Sequence, residues 1–129
     1  MSDDKINLLS GLFTKDQRPE ILSVDVAELK ALITLHVPED LSWFDGHFPE
    51  QKVLPGVVQI DWAGKFSKAL LLNSERFSQL TNVKFKSMVM PNTQMSLELT
   101  YLPEKHLIKF HFFSEHDSFS SGSFKFLTP

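Results

Sequence analysis

Two rhythms of apolar and polar positions run along this chain, one alternating and one helical, and together they predict strands on both sides of a single strong helix. Residues 21–26 and 29–37 are rich in β-branched and apolar side chains and are separated only by Ala27 and Glu28, so they read as two adjacent strands, most simply a hairpin. Pro38, Glu39 and Asp40 stop the second strand, and residues 41–52 read as an irregular loop that holds Trp43, Phe44, His47, Phe48 and Pro49. The spacing then predicts a long helix over 55–73, with Asn73 and Ser74 as its exit. Val57, Val58, Ile60, Trp62, Ala63, Phe66, Ala69, Leu70 and Leu71 run most of the way round it, as on a helix buried on several sides. Segments 79–89, 93–102, 106–113 and 118–126 follow, punctuated by turn residues. In Val83-Lys84-Phe85-Lys86 and Phe124-Lys125-Phe126 the alternation is strict, the pattern of a sheet with one buried and one wet face. Before all of this, Leu8, Leu9, Leu12 and Phe13 stand at helix-like spacing around Gly11, so residues 1–16 are expected to form a short helix or a partly ordered arm. The chain shows no internal repeat and no linker. One α+β domain over 1–129 is expected, an antiparallel sheet wrapped around one long central helix.

Composition narrows the class. At 129 residues and 42% hydrophobic, the chain suits one domain with its own core. A formal net charge of −3 leaves no basic footprint, so nucleic acid is not expected as a partner. With no cysteine there is no disulfide and no thiolate chemistry, a composition compatible with a reducing cytoplasm, the expected location. The N-terminal Met1-Ser2-Asp3-Asp4 lacks the basic start of a secretion signal, and no apolar run approaches the ~18–20 residues that span a bilayer. Twelve Phe against one Tyr suggest a dry interior, either ordinary core or the wall of a hydrophobic tunnel.

The chemistry gathers around the start of the long helix. Gly46-His47-Phe48-Pro49 precedes Leu54-Pro55-Gly56-Val57-Val58-Gln59-Ile60-Asp61, so a loop histidine leads into a proline-started helix carrying a carboxylate in an apolar run. Pro55 has its φ pre-set for a first helical position, which places the helix start at Pro55-Gly56. The Gly56 N–H then points outward without a helical partner, and glycine admits a substrate close to the backbone. A base, an acid and a donor for a carbonyl oxygen thus fall within one segment. A loop histidine is more often a surface group, but the flanking Gly46 and Phe48-Pro49 before a Pro-Gly helix start favour a base. Asp61 is either a structural group paired with a backbone N–H or a functional acid, since an unpaired buried carboxylate is costly. His36, His106, His111 and His116 show no ligand-like clustering and read as structural, so no metal site is expected. Trp62 and Phe66 read as core or tunnel wall.

Residues 43–63 as a whole resemble the active-site segment of the hotdog-fold 3-hydroxyacyl-[acyl carrier protein] dehydratases, whose pattern runs His-Phe-Pro-Gly, a few residues, Pro-Gly-Val, then Glu or Asp. The stretches ending in Met90-Pro91-Asn92 and running through Ser121-Gly122-Ser123-Phe124 are similar to later strands of that family, so the likeness spans the chain from about residue 20 onward. Leu54-Pro55-Gly56-Val57-Val58-Gln59-Ile60-Asp61-Trp62 looks most like the branch associated with bacterial aryl-polyene clusters. The resemblance implies a hotdog fold and no cofactor. It also implies that His47 abstracts a proton from C2 of a thioester on acyl carrier protein, that Asp61, 14 positions later, protonates the departing C3 hydroxyl, and that the Gly56 N–H binds the carbonyl. Phe48, Pro55 and Val57 would line the substrate site. An apolar tunnel would desolvate Asp61 and favour the protonated, donating form. The family also implies a homodimer, or a higher homo-oligomer, in which the histidine of one subunit faces the carboxylate of the other. Lys65, Lys68, Lys84 and Lys86 would be available to an acidic carrier protein.

The chain departs from the family pattern at Glu50, where Gly is common, at Lys52, where Pro is common, and at Asn92, where Gly is usual. Asn is the next most accepting residue in a left-handed turn. Asp61 in place of Glu shortens the acid by one methylene. Two other functions stay open: a hotdog thioesterase, which would activate water, and a non-catalytic acyl-binding subunit that leaves turnover to a paired dehydratase.

Overall fold

A computed structural model describes residues 2–44, 53–72 and 76–127, and the elements it contains follow the two rhythms of the sequence. The N-terminal apolar patch forms a short helix, α1 (Ser2–Ser10), whose Leu9 is fully buried. Strands β1 (Glu20–Val26) and β2 (Lys30–His36) form the expected hairpin, closed by the Ala27 N–H donating to the Lys30 carbonyl at 2.8 Å. The long helix α2 (Gly56–Leu70) comes next, then β3 (Arg76–Phe85), β4 (Gln94–Leu102), β5 (Leu107–Phe113) and β6 (Ser118–Leu127). Short 3-10 turns at Lys15–Gln17, Ser42–Phe44 and Pro103–Lys105, which the sequence pattern did not reveal, fill the connections.

All neighbouring strands pair antiparallel in one six-stranded sheet of order β1-β2-β4-β5-β6-β3. The inward positions of β4 (Met95, Leu97, Leu99), β5 (Ile108, Phe110, Phe112) and β6 (Phe124, Phe126) join Val58, Trp62, Ala63 and Phe66 of α2 in a single core. This is the hotdog fold. Each fully buried side chain of that size contributes about 1.5–3 kcal/mol, so the packing of α2 on the sheet dominates stability. Trp62 is fully buried, and its indole N–H donates to the Gln17 carbonyl at 3.2 Å, tying the helix to the N-terminal turn. Trp62 and Phe66 are therefore core.

Three boundaries differ from the sequence reading. Pro55 precedes the helix instead of starting it: its φ of −60° suits a helix but its ψ of 147° is extended, and its carbonyl accepts the Val58 and Gln59 N–H groups at 3.1 and 3.3 Å. The helix ends at Leu70, because the Ser67 carbonyl accepts both the Leu71 and Leu72 N–H groups and Leu71 leaves helical geometry; Asn73 lies outside the described residues. Strand β3 runs from Arg76 to Phe85, earlier than the expected 79–89, with a bulge at Asn82, whose φ is 57°.

The alternation in β3 also fails to bury one of its rings. Phe85 is 53% exposed and Leu80 40%. β3 is an edge strand of the sheet, with a strand neighbour on one side only.

Asn92 adopts φ 66°, as a left-handed turn requires, while its N–H donates to the Val37 carbonyl at 2.8 Å and its amide to Glu39 at 3.2 Å. Asn92→Ala is expected to cost about 1–2 kcal/mol through the left-handed backbone, and Asn92→Gly less than about 1 kcal/mol. Urea unfolding of the two variants checks this, and equal losses would show that the side-chain bond, not the backbone, matters there.

Candidate active site

The start of α2 is held by its neighbours before the helix begins. Leu54 donates its N–H to the Val89 carbonyl at 2.8 Å, which fixes the chain just ahead of Pro55. Because Pro55 takes the Val58 and Gln59 N–H groups, the Gly56 and Val57 N–H groups are left without an acceptor among the described residues. The first turn carries no acidic side chain of its own to offset the positive end of the helix dipole. A helix end of this kind receives an anion or the oxygen of a polarised carbonyl.

Gly56 permits a close approach. A Cβ on it would lie 2.5 Å from the Phe85 Cζ, so the Phe85 ring rests against the Gly56 backbone. Val53, Gly56, Val57, Ile60, Phe85 and Met88 line an open groove of about 470 Å³ around this point. Its surface is mainly apolar, with backbone N–H groups at one end, the combination that suits a thioester carbonyl attached to an acyl chain. A larger hollow of about 800 Å³ lies elsewhere, but Lys15, Asp16, Arg18, Glu20, Glu39 and Asp40 line it, a poor home for an apolar chain.

Asp61 lies on α2 little more than a turn beyond Gly56, but it is not in the apolar enclosure expected for it. Its side chain is 48% exposed and pairs with the Lys65 ammonium at 3.1 Å. Val57, Asp61, Lys65 and Lys68 are exposed and spaced as one face of the helix. The single chain therefore opens the acid to solvent, and only a second body lying on that stripe would desolvate it. Lys65 also lies 4.9 Å from the centre of the Phe13 ring, and Lys68 4.8 Å from that of Phe77, so aromatic partners already hold both lysines.

Among the sequence-derived site residues, the structure gathers Pro55, Gly56 and Val57 at one helix end, with Asp61 further along the same helix. His47 and Phe48 lie outside the described residues, as do Glu50 and Lys52. Two of the other histidines pair with neighbouring side chains. His36 faces Glu20 at 3.1 Å and the His111 ring bonds the Ser118 hydroxyl at 2.9 Å. Among the described residues, no group of three or more His, Asp or Glu side chains is placed to hold a metal. Among the described residues, no helix is long and apolar enough to cross a membrane.

One residue at the site escaped the sequence reading. Gln59 is only 3% exposed, and it donates its amide to the Leu54 carbonyl at 3.3 Å while accepting the Ser120 hydroxyl at 2.7 Å. The available signal was a lone amide between Val58 and Ile60 in an otherwise apolar run.

A model of the ApeI-like family, described as the ApeI dehydratase, matches residues 23–123, which include the groove and Asp61. The chain belongs to this dehydratase family. A solved chain of the dehydratase heterocomplex ApeI:P from Xenorhabdus doucetiae is similar at 33% identity and a TM-score of 0.81, over 86% of this chain and 99% of that one. The 3-hydroxyacyl-[acyl-carrier-protein] dehydratase FabZ of Geobacillus thermodenitrificans is 35% identical over 52% of this chain and 51% of its own. FabZ of Pasteurella multocida is 34% identical over 60% of this chain and 55% of its own. The chain thus spans about half the length of the curated relatives it matches.

An exposed i, i+4 ion pair contributes about 0.3–0.5 kcal/mol, so Lys65→Met is expected to change the unfolding free energy of the dissociated single chain by no more than about 0.5 kcal/mol. Denaturant titration checks this. A loss well above 1 kcal/mol would show that the Asp61–Lys65 pair is covered by a second chain in solution.

Proposed function

We propose that this member of the ApeI-like family dehydrates a 3-hydroxyacyl thioester carried on acyl carrier protein to the trans-2-enoyl thioester. The observation that carries the reading is the groove in which an apolar wall meets the unpartnered Gly56 and Val57 N–H groups, with Asp61 on the same helix. In this reading the Gly56 N–H polarises the thioester carbonyl, which acidifies C2. His47 takes the C2 proton, the electron pair moves into the forming C2–C3 double bond, and the C3–O bond breaks. Asp61 gives its proton to the departing hydroxyl, which leaves as water. Atoms and charge balance without a redox cofactor or a metal, and the proton on His47 resets Asp61 through solvent.

The site is completed by a second chain. Phe85 and Leu80 of the edge strand, with Val57 and Met88 beside them, expose apolar surface that a partner on the β3 edge would cover. Such a partner would shield the Asp61 stripe and supply the opposing histidine. A homodimer, or a larger homo-oligomer built from it, is the simplest assembly. The similarity to a chain of the ApeI:P heterocomplex supports a second reading, in which the partner is a different, related subunit and this chain needs it for turnover.

The purified protein is expected to remove water from 3-hydroxyacyl-carrier protein, seen by mass spectrometry. His47→Ala and Asp61→Asn are each expected to lower the rate by about 10²–10⁴-fold. Free acid as the product would replace this reading with a thioesterase. No turnover alone, but recovery on adding a related subunit, would establish the heteromeric reading.

A further inference from the structure

We propose that Gln59 is a positioning residue for the carbonyl-binding end of α2, acting through Leu54 and Ser120 to hold the Gly56 N–H where the thioester oxygen develops charge. The inference rests on the dehydratase reading and assigns a role within that site.

Gln59 is a buried amide in a core made almost wholly of apolar side chains. An amide left unpaired there would be destabilising, so its two bonds must be made by groups that are themselves fixed. They are. The Leu54 carbonyl that accepts the Gln59 amide belongs to the residue whose N–H is bound by Val89, so Leu54 is pinned at both its donor and its acceptor. Pro55 then leaves the next peptide little freedom, since its ring fixes φ. The Ser120 hydroxyl that Gln59 accepts comes from β6, at the position directly opposite Phe85 on β3. Phe85 is the ring that rests on Gly56.

One side chain therefore ties together the residue before the helix and the strand pair that carries the ring over it. Gly56 lies between these anchors. The amide N–H groups of a helix start act on a carbonyl through their direction as much as their charge, and the effect is largest when oxygen becomes anionic. A loose Leu54-Pro55-Gly56 segment would bind the ground-state thioester almost as well and stabilise the enolate-like state less well.

The test uses full-length protein, Gln59→Met, which keeps the length and removes the polar atoms, and Ser120→Ala, which removes one hydroxyl. Turnover is measured by water loss from 3-hydroxyacyl-carrier protein. Carbonyl polarisation is measured by isotope-edited infrared spectroscopy of a bound saturated acyl-pantetheine thioester labelled with 13C at the carbonyl, with the chain length that gives the best turnover. Gln59→Met is expected to lower kcat roughly 10- to 100-fold with KM within about twofold, and to lose most of the downward carbonyl shift seen with the wild type. Ser120→Ala is expected to move both in the same direction by less, and it carries the test alone if Gln59→Met does not fold. Variants that unfold at lower denaturant yet keep kcat and the carbonyl shift would reduce Gln59 to a stability residue and overturn the inference. Wild-type protein, with any partner subunit present, that neither removes water nor shifts the carbonyl would sink the dehydratase reading and this inference with it. Wild-type activity with a carbonyl shift that is unchanged in both variants would sink this inference alone.

Discussion

Helix α2 is apolar around so much of its circumference that it can exist only if the chain surrounds it, and the rest of the fold is the means of doing so. Seven of its residues, including Gln59, Trp62, Phe66 and Ser67, are buried, and the exposed face is confined to the stripe of Val57, Asp61, Lys65 and Lys68. Strands β4, β5 and β6 supply the opposing wall from Met95, Leu97, Leu99, Phe110, Phe112 and Phe124. Polar groups inside this enclosure must find partners, and they do: Ser67 bonds the Ala63 carbonyl at 2.7 Å, Trp62 reaches Gln17, and Gln59 bonds Leu54 and Ser120.

The same enclosure bears on where the proposed chemistry would lie. Since the body of α2 is covered, its backbone is open toward its ends, and at the N-terminal end the Gly56 and Val57 N–H groups have no acceptor among the described residues. That end sits beside β3, the edge of the sheet, so Phe85 covers Gly56 from one side and leaves the groove open on the other. In the proposed dehydratase, the helix terminus that would bind the carbonyl and the edge strand that would take a second chain are thus two aspects of one location. Asp61, exposed on the adjoining stripe, needs such a neighbour before it can act in a dry site.

Much of this was legible in the pattern of residues. The hairpin, the long helix and the four later strands followed from the change between alternating and helical spacing, and Asn92 occupies the left-handed turn that the family resemblance implied. Pro55 and Gly56 marked the helix start to within one residue, because proline's fixed φ serves both the position before a helix and its first residue; the extended ψ that separates them comes from the anchoring of Leu54. Phe85 is exposed despite its alternation with lysines, because alternation reports which face a side chain points to, not whether anything packs on that face. Asp61 is open in the single chain because apolar neighbours along a helix do not bury a residue when they point elsewhere around the axis.

By itself, then, the sequence determined what is local: the elements, the αL turn at Asn92, the glycine at the helix start and the family to which its motif points. These are consequences of backbone sterics and of spacing, which act over a few residues. The tertiary structure alone decided the strand order that makes β3 an edge, the seating of the Phe85 ring on Gly56, the opening of Asp61 to solvent beside Lys65, and the partners of Gln59. Each of those joins residues distant in the chain, Ser120 to Gln59 above all. Such contacts depend on how the whole sheet closes on its helix, a result of collective packing that no local pattern encodes.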